Sequence, residues 1–274
     1  MSAIPQSTTC HTYELGSDHQ VSVLTQIAEI GSGTFTYIDE LNAVGDSFSH
    51  TLGSLFSCIA QNIEAKIELE NPYQIVKVHS IFPSSPVPSS CVTIKIHDLN
   101  EEEKRNLVFE IHVATVNETD AEKSQIGTAS VNYIDPLSQK ILFTQSIPLR
   151  LIRSKVINDE KLLEVNYDLD VQRNRIIAAN GMKEATAHAE NHDMDQAKAI
   201  LQAVIDKISA SISLNDTLCQ GLINDLNKGI EKFEHDKQQF TAYMYNMEIQ
   251  YRTERGTYMA PMFTNANMYI TSSN

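Results

Sequence analysis

Apolar positions along this chain repeat first at about every second residue and then at every third or fourth, and each change of period marks a switch between strand and helix. The run HTYEL suits a short strand that leaves through Gly16, Ser17 and Asp18, where Ser17 or Asp18 can accept hydrogen bonds from the free amides of a following helix. Val21, Leu24, Ile27, Ala28 and Ile30 then fall mostly three or four apart, and Gly31 reads as a left-handed helix stop. Thr34 to Ile38 is β-branched and aromatic, which suits a second strand. Asp39 is placed to cap another helix, on which Leu41, Val44, Phe48, Leu52, Leu55, Phe56 and Ile59 make one apolar stripe. Strand, helix, strand and helix at this spacing predict two parallel strands with a right-handed crossover, a sheet that needs cover on both faces.

After Gln61 the period becomes two. Ala65 to Glu70, Gln74 to Ile81, Cys91 to His97, Leu107 to Val116, Ala129 to Tyr133 and Ile141 to Ile152 read as strands. Turn formers such as Asn71-Pro72, the run SIFPSSPVPSS and Asp135-Pro136 separate them, so the stretch predicts an antiparallel sandwich. Near Asp168 the period returns to that of a helix. Ile177, Ala178, Gly181, Met182, Ala185 and Ala189 form a small-residue face, and Asp193 can cap a second helix carrying Ala197, Ile200, Leu201, Val204, Ile205 and Ile208.

That pair resembles a single tetratricopeptide-type repeat, and one copy is too few for a solenoid. Cys219, Leu222, Leu226, Ile230, Phe233, Phe240, Met244, Met247 and Tyr251 follow a seam spacing, with Lys237 interrupting it, and predict one long helix over 216–254. Its seam packs on the preceding pair or, as the alternative, on a second chain to give a homo-oligomer. Tyr258, Met259, Met262 and Met268 in the uncharged tail are expected to dock on the body, because an exposed apolar tail invites aggregation.

Composition narrows the partners. With 21 basic against 35 acidic residues the net charge is −14, which repels phosphate backbones and anionic lipid surfaces. The first basic residue is Lys66, so residues 1 to 60 carry no Lys or Arg, which reads as a solvated acidic face or as half of an interface with a basic partner. Cys10, Cys58, Cys91 and Cys219 lie far apart without a C-x-x-C pair, which suggests reduced thiols and neither a zinc knuckle nor a disulfide framework. The opening MSAIPQSTTC has no basic n-region, and no window has the length of apolar sequence that spans a bilayer. The expectation is a cytoplasmic protein with no nucleic-acid partner and no membrane insertion.

The order G-S-D-H, a helix ending I-A-E-I-G-S-G-T-F-T-Y-I, an acidic turn and the helix DSFSHTLGSLFSCIAQNI resembles the C-terminal end of a von Willebrand factor type A domain. The arrangement is closest to intracellular type A domains that continue into mixed β and helical structure, as in plant RING-finger ubiquitin ligases with a central type A domain. The resemblance implies a non-catalytic region for scaffolding or partner recognition, with ligase-substrate recognition as its sharper form. Ligase activity itself would need a RING cysteine and histidine set that this sequence does not contain. A metal-dependent adhesion protein whose ligand site lies in the missing portion is the alternative, and a hydrolase is a third.

Candidate chemistry is sparse. The family's metal site uses an Asp-x-Ser-x-Ser loop, and no such motif occurs here. Ser17 and Asp18 do not match the ligand positions, so no metal, cofactor or catalytic residue is assigned. His188 and His192 stand four apart with Glu190 between them and Asp193 and Asp195 following, but H-A-E-N-H is not H-E-x-x-H. His79, His97 and His112 fall in different strands. Asp46, Ser49 and His50 read as the polar face of a helix, Glu101 to Glu103 as a charged turn, and Gly31-Ser32-Gly33 as a cap rather than a phosphate cradle.

The fold expected is therefore α+β and multidomain. It comprises a leader at 1–11, a partial type A domain at 12–62, an antiparallel β-sandwich at 63–158, a helical bundle at 159–254 and a docked tail at 255–274. With one sheet edge and much apolar surface unpaired, the partial domain is expected to be mobile, to repack on the sandwich or to pair with a missing portion. Its amides are expected to exchange faster than those of the other parts.

Overall fold

A computed structural model describes residues 9–15, 21–38, 41–113, 124–151, 165–235 and 237–254. The Gly16–Asp18 loop, the Asp39 cap and the docked tail lie outside the described residues. The chain is mixed α+β and forms two compact units, one made of Met1–His50 with Tyr167–Asn274 and the other of Thr51–Asn166.

In the first unit β1 (Cys10–Leu15), α1 (Val21–Ile30) and β2 (Ser32–Ile38) follow the predicted order. The two strands pair in parallel, with Thr12 opposite Phe35 and Leu15 opposite Ile38. Gly31 does not take the left-handed conformation expected of it. A Cβ there would lie 2.3 Å from the Cys10 Cβ, and one on Gly33 would lie 2.0 Å from the Cys10 carbonyl oxygen. These glycines let β1 pass close to the α1–β2 corner, and Cys10 N–H donates to the Gly31 carbonyl at 2.9 Å.

A 3-10 turn at Leu41–Ala43 leads into α2 (Val44–Phe56), which runs across the division between the units. Its apolar stripe is not buried. Phe48 stacks on Tyr13 with ring centroids 4.4 Å apart, while Phe56 remains 89% exposed.

The remainder of this unit is helical: α3 (Tyr167–Glu190), α4 (Met194–Ser209), α5 (Thr217–His235) and α6 (Lys237–Thr253). Ala178, Met182, Ala185 and Ala189 of α3 meet Leu201, Val204 and Ile208 of α4 in one core. Asp193 caps α4 by accepting from Gln196 N–H. The predicted 216–254 helix is two helices. Asp225 hydrogen-bonds to Tyr251, although residues 26 apart on one straight helix would stand about 39 Å from each other, so α6 must fold back on α5. The seam residues Leu222, Leu226, Phe240, Met244, Met247 and Tyr251 are buried in this core, which leaves none of them to a second chain. The side chains of Phe233 and Lys237 lie outside the described residues.

The opposite face of α6 is also buried. Ala242 and Ile249 pack against Ala28 and Phe35, with Leu24, Tyr37 and Tyr245 around them. The α1–β2 face expected to lack cover is thus covered by the last helix of the bundle, an element more than two hundred residues later in sequence. Apolar groups on both faces give α6 no clear amphipathic stripe, as expected of a helix enclosed on two sides.

The second unit is an antiparallel sandwich. Its larger sheet has the order β5 (Cys91–Asn100), β3 (Cys58–Leu69), β7 (Ser124–Ile134), β8 (Ile141–Phe143), with β9 (Ile147–Leu151) also pairing with β7. The smaller joins β4 (Gln74–His79) to β6 (Val108–His112). Ala65, Ile67 and Leu69 alternate inward from β3 to meet Ile75, Val92 and Ile94. Asn62, at φ 48°, absorbs an extra residue against β7, so that Ala60 and Ile63 share the inward face despite being three apart.

Candidate interaction surfaces

The polar groups of the helical unit are arranged for structure. Asp225, almost fully buried on α5, accepts from Tyr251 Oη at 2.5 Å and from Tyr243 Oη at 3.1 Å. Lys228 Nζ stands 3.8 Å from the same carboxylate, and Lys232 lies over the Tyr243 ring. Burial, followed by the charge of Asp225 and its hydrogen bond, raises the Tyr251 pKa above the ordinary tyrosine value.

Arg175 on α3 donates to the Tyr251 carbonyl at 2.6 Å and to Gln172 at 2.7 Å, and lies 3.5 Å from Glu254. It thereby closes the end of α6, and burial lowers its pKa, partly opposed by the Glu254 charge. Near the start of α3, about one turn before Arg175, Asp170 accepts from Ser213 N–H and Oγ–H. Asn174 donates to Ser211 and Ser213, which ties the α4–α5 connection to α3.

The histidines and carboxylates singled out from the sequence do not converge. His188 Nδ1 meets Asp193 Oδ2 at 3.2 Å at the α3–α4 corner, while Glu190 accepts from Tyr245 Oη. His192 occupies the corner at φ 63° and Asp195 is exposed. His79 meets Glu110 across β4 and β6 at 2.7 Å; His112 ends β6, and His97 belongs to β5 in the other sheet. Asp46, Ser49 and His50 are exposed on α2. Glu103 accepts from the Asn100 amide and pairs with Arg105 at 2.8 Å, so the acidic turn is a local clasp. Among the described residues no three His, Cys, Asp or Glu side chains gather as a metal site would need. None of the four cysteines is in a disulfide; Cys219 is buried and Cys91 exposed.

The β8–β9 side of the larger sheet exposes apolar side chains. β8 and β9 lie one after the other along the same side of β7, with Phe143 opposite Asn132 and Ile147 opposite Ala129. Leu137 is 96% exposed, Ile141 61% and Phe143 76%, and Ile147 is exposed as well. Asp135 fixes the turn before β8 by accepting from Leu137 N–H, Ser138 N–H and Ser138 Oγ–H. The Ser138 hydroxyl, then the Leu137 amide, hold its carboxyl below the usual range. A strand over Ile141 to Ile152 was visible in the sequence; that it lies at the sheet edge was not, because pairing order is a long-range property. The signal for Asp225 was local: an acid beside Leu222 and Leu226 in an otherwise apolar seam.

Among the described residues no helix is long and apolar enough to cross a membrane. No curated protein matches the chain. Residues 165–259, which take in the helical bundle, match the family model described as CPSF6-like, RSLD domain, N-terminal region. The fold is similar to that of a von Willebrand factor type A protein from Catenulispora acidiphila, with a TM-score of 0.66 and 14% identity. The match covers 90% of this chain and 59% of that one. The chain therefore has a type-A-like α+β fold and spans less than two thirds of the protein it resembles.

Proposed function

We propose that this chain is a non-catalytic interaction region of a type-A-like protein, acting in the cytoplasm through surfaces of its sandwich. The observation that carries this reading is the run of large apolar side chains left exposed at Leu137, Ile141, Phe143 and Ile147. A folded chain exposes several large apolar side chains along one sheet edge at a cost in solubility unless a partner covers them. The likeness to a type A fold supports the same class of role without naming a partner. Recognition of ubiquitin-ligase substrates is the sharper form of the proposal.

The test is photo-crosslinking from position 137 in the full chain, followed by reconstitution of any captured protein with purified components. A saturable, stoichiometric complex supports the reading. Failure to reconstitute any complex, together with turnover of ester, peptide or phosphoester substrates by the purified chain, overturns it. Partner ubiquitination that depends on this chain would support the sharper form, whereas binding abolished by chelation of divalent ions would favour metal-dependent adhesion.

A further inference from the structure

We propose that the β8 edge of the five-stranded sheet is a strand-addition site for an extended, apolar peptide segment carrying acidic residues. This rests on the reading of the chain as an interaction region.

Backbone geometry comes first. Thr144 N–H donates to the Val131 carbonyl, and Asp135 N–H donates to the Lys140 carbonyl. In an antiparallel ladder hydrogen-bonded and non-bonded pairs alternate, so Leu142 faces β7 with its backbone while Ile141 and Phe143 turn their N–H and C=O groups outward. Among the described residues no strand pairs with that outer side. β8 is a short edge strand, but Ile141–Phe143 contains neither the charge nor the proline that also guard an edge. β9 differs, since Pro148 cannot donate an amide to an added strand. The docking segment is thus Ile141 to Phe143, with exposed apolar side chains on both faces of the strand.

Charge selects the occupant. The net charge of the chain is −14, yet Pro136 to Leu151 contains no acid, and its two charges are Lys140 and Arg150. Both are exposed and neither is in an ion pair among the described residues. A second copy is the obvious competitor for an open edge, but pairing along the whole edge would set Lys140 of one copy opposite Arg150 of the other. Like charges placed directly opposite are destabilising. A strand with acidic flanks instead meets both cations while its backbone bonds to Ile141 and Phe143, the arrangement in which main-chain bonds give affinity and side chains give selection.

The probe is a fluorescent peptide alternating Val or Ile with Thr and carrying Glu at each end, with a control carrying Lys at each end. The full chain should bind the first and show about tenfold weaker binding to the second. Lys140→Glu with Arg150→Glu, on exposed positions, should reverse that preference. Phe143→Pro removes an outward amide without touching the β7 ladder and should abolish binding of both peptides with the fold retained by circular dichroism.

Equal binding of the two peptides, or no effect of either variant, overturns the proposal. So does a concentration-dependent dimer in sedimentation that Phe143→Pro dissociates, which would assign the edge to a second copy. If the peptide fails while a reconstituted partner binds the charge-reversed protein as tightly as the parent, the edge assignment falls and the interaction reading stands. If neither binds, the edge assignment falls, and substrate turnover by the purified chain would remove the interaction reading with it.

Discussion

Tyr251 on α6 donates its hydroxyl to Asp225 on α5 at 2.5 Å, the shortest of the two tyrosine bonds that converge on this carboxylate. The bond pins the returning helix at its far end, where the chain has folded back on itself. Hydrogen bonds to charged groups contribute about 1.5–3 kcal/mol, and loss of the donor leaves a buried acceptor undersatisfied. Tyr251→Phe should lower unfolding stability by about that amount in urea titrations, with Tyr243→Phe costing less because its bond is longer. Equal stability of Tyr251→Phe and the parent would show that water replaces the donor.

The same pair predicts a pH dependence. The folded pKa of Tyr251 is raised above the ordinary tyrosine value of 10.0, so the folded chain holds this proton where the unfolded chain has lost it. The contribution is fully present below pH 10.0 and is lost as the pH rises from there toward the folded pKa. Denaturation midpoints measured in alkaline buffers should fall less steeply for Tyr251→Phe than for the parent.

Arg175 carries a third expectation. It satisfies the Tyr251 carbonyl and faces Glu254, with both charged side chains nearly buried. Removing one member of a buried pair strands the other and typically costs about 3–5 kcal/mol. Arg175→Met keeps the length of the stem while deleting the charge, and should lower the thermal midpoint more than Tyr251→Phe does.

Much of this architecture was legible because the period of apolar residues reports local geometry. The strand and helix order from Cys10 to Phe56, the alternation of Ala65, Ile67 and Leu69, and the Asp193 cap all follow from neighbours in sequence. The division of the 216–254 seam showed only as its interruption at Lys237, where α6 begins, since both helices of a hairpin continue one spacing and Asp225 gives no sign of which tyrosine it will meet. Nor did the sequence show that Ile249 covers Phe35. Position 249 looks like one more apolar residue on an already apolar helix, and its partner lies in a segment read as a separate domain. Gly31 was assigned to a helix stop because that is glycine's commonest local role; its neighbour in space, Cys10, is what requires the missing Cβ. For the interaction surface, the uncharged run Ile141 to Leu149 was visible as strand, but its place at the sheet edge depends on the pairing of β7.

The central structural claim is that the α1–β2 segment and the helical bundle make one cooperative unit through α6. Native-state hydrogen exchange tests it most directly, because amides that open in one cooperative step share one opening free energy. The paired amides of β1 and β2 should exchange with the same free energy as those of α3. Ile249→Ala, which removes apolar contact worth about 2–5 kcal/mol, should lower both sets together. Fast exchange throughout β1 and β2 while α3 stays protected, in the parent protein, would contradict the account.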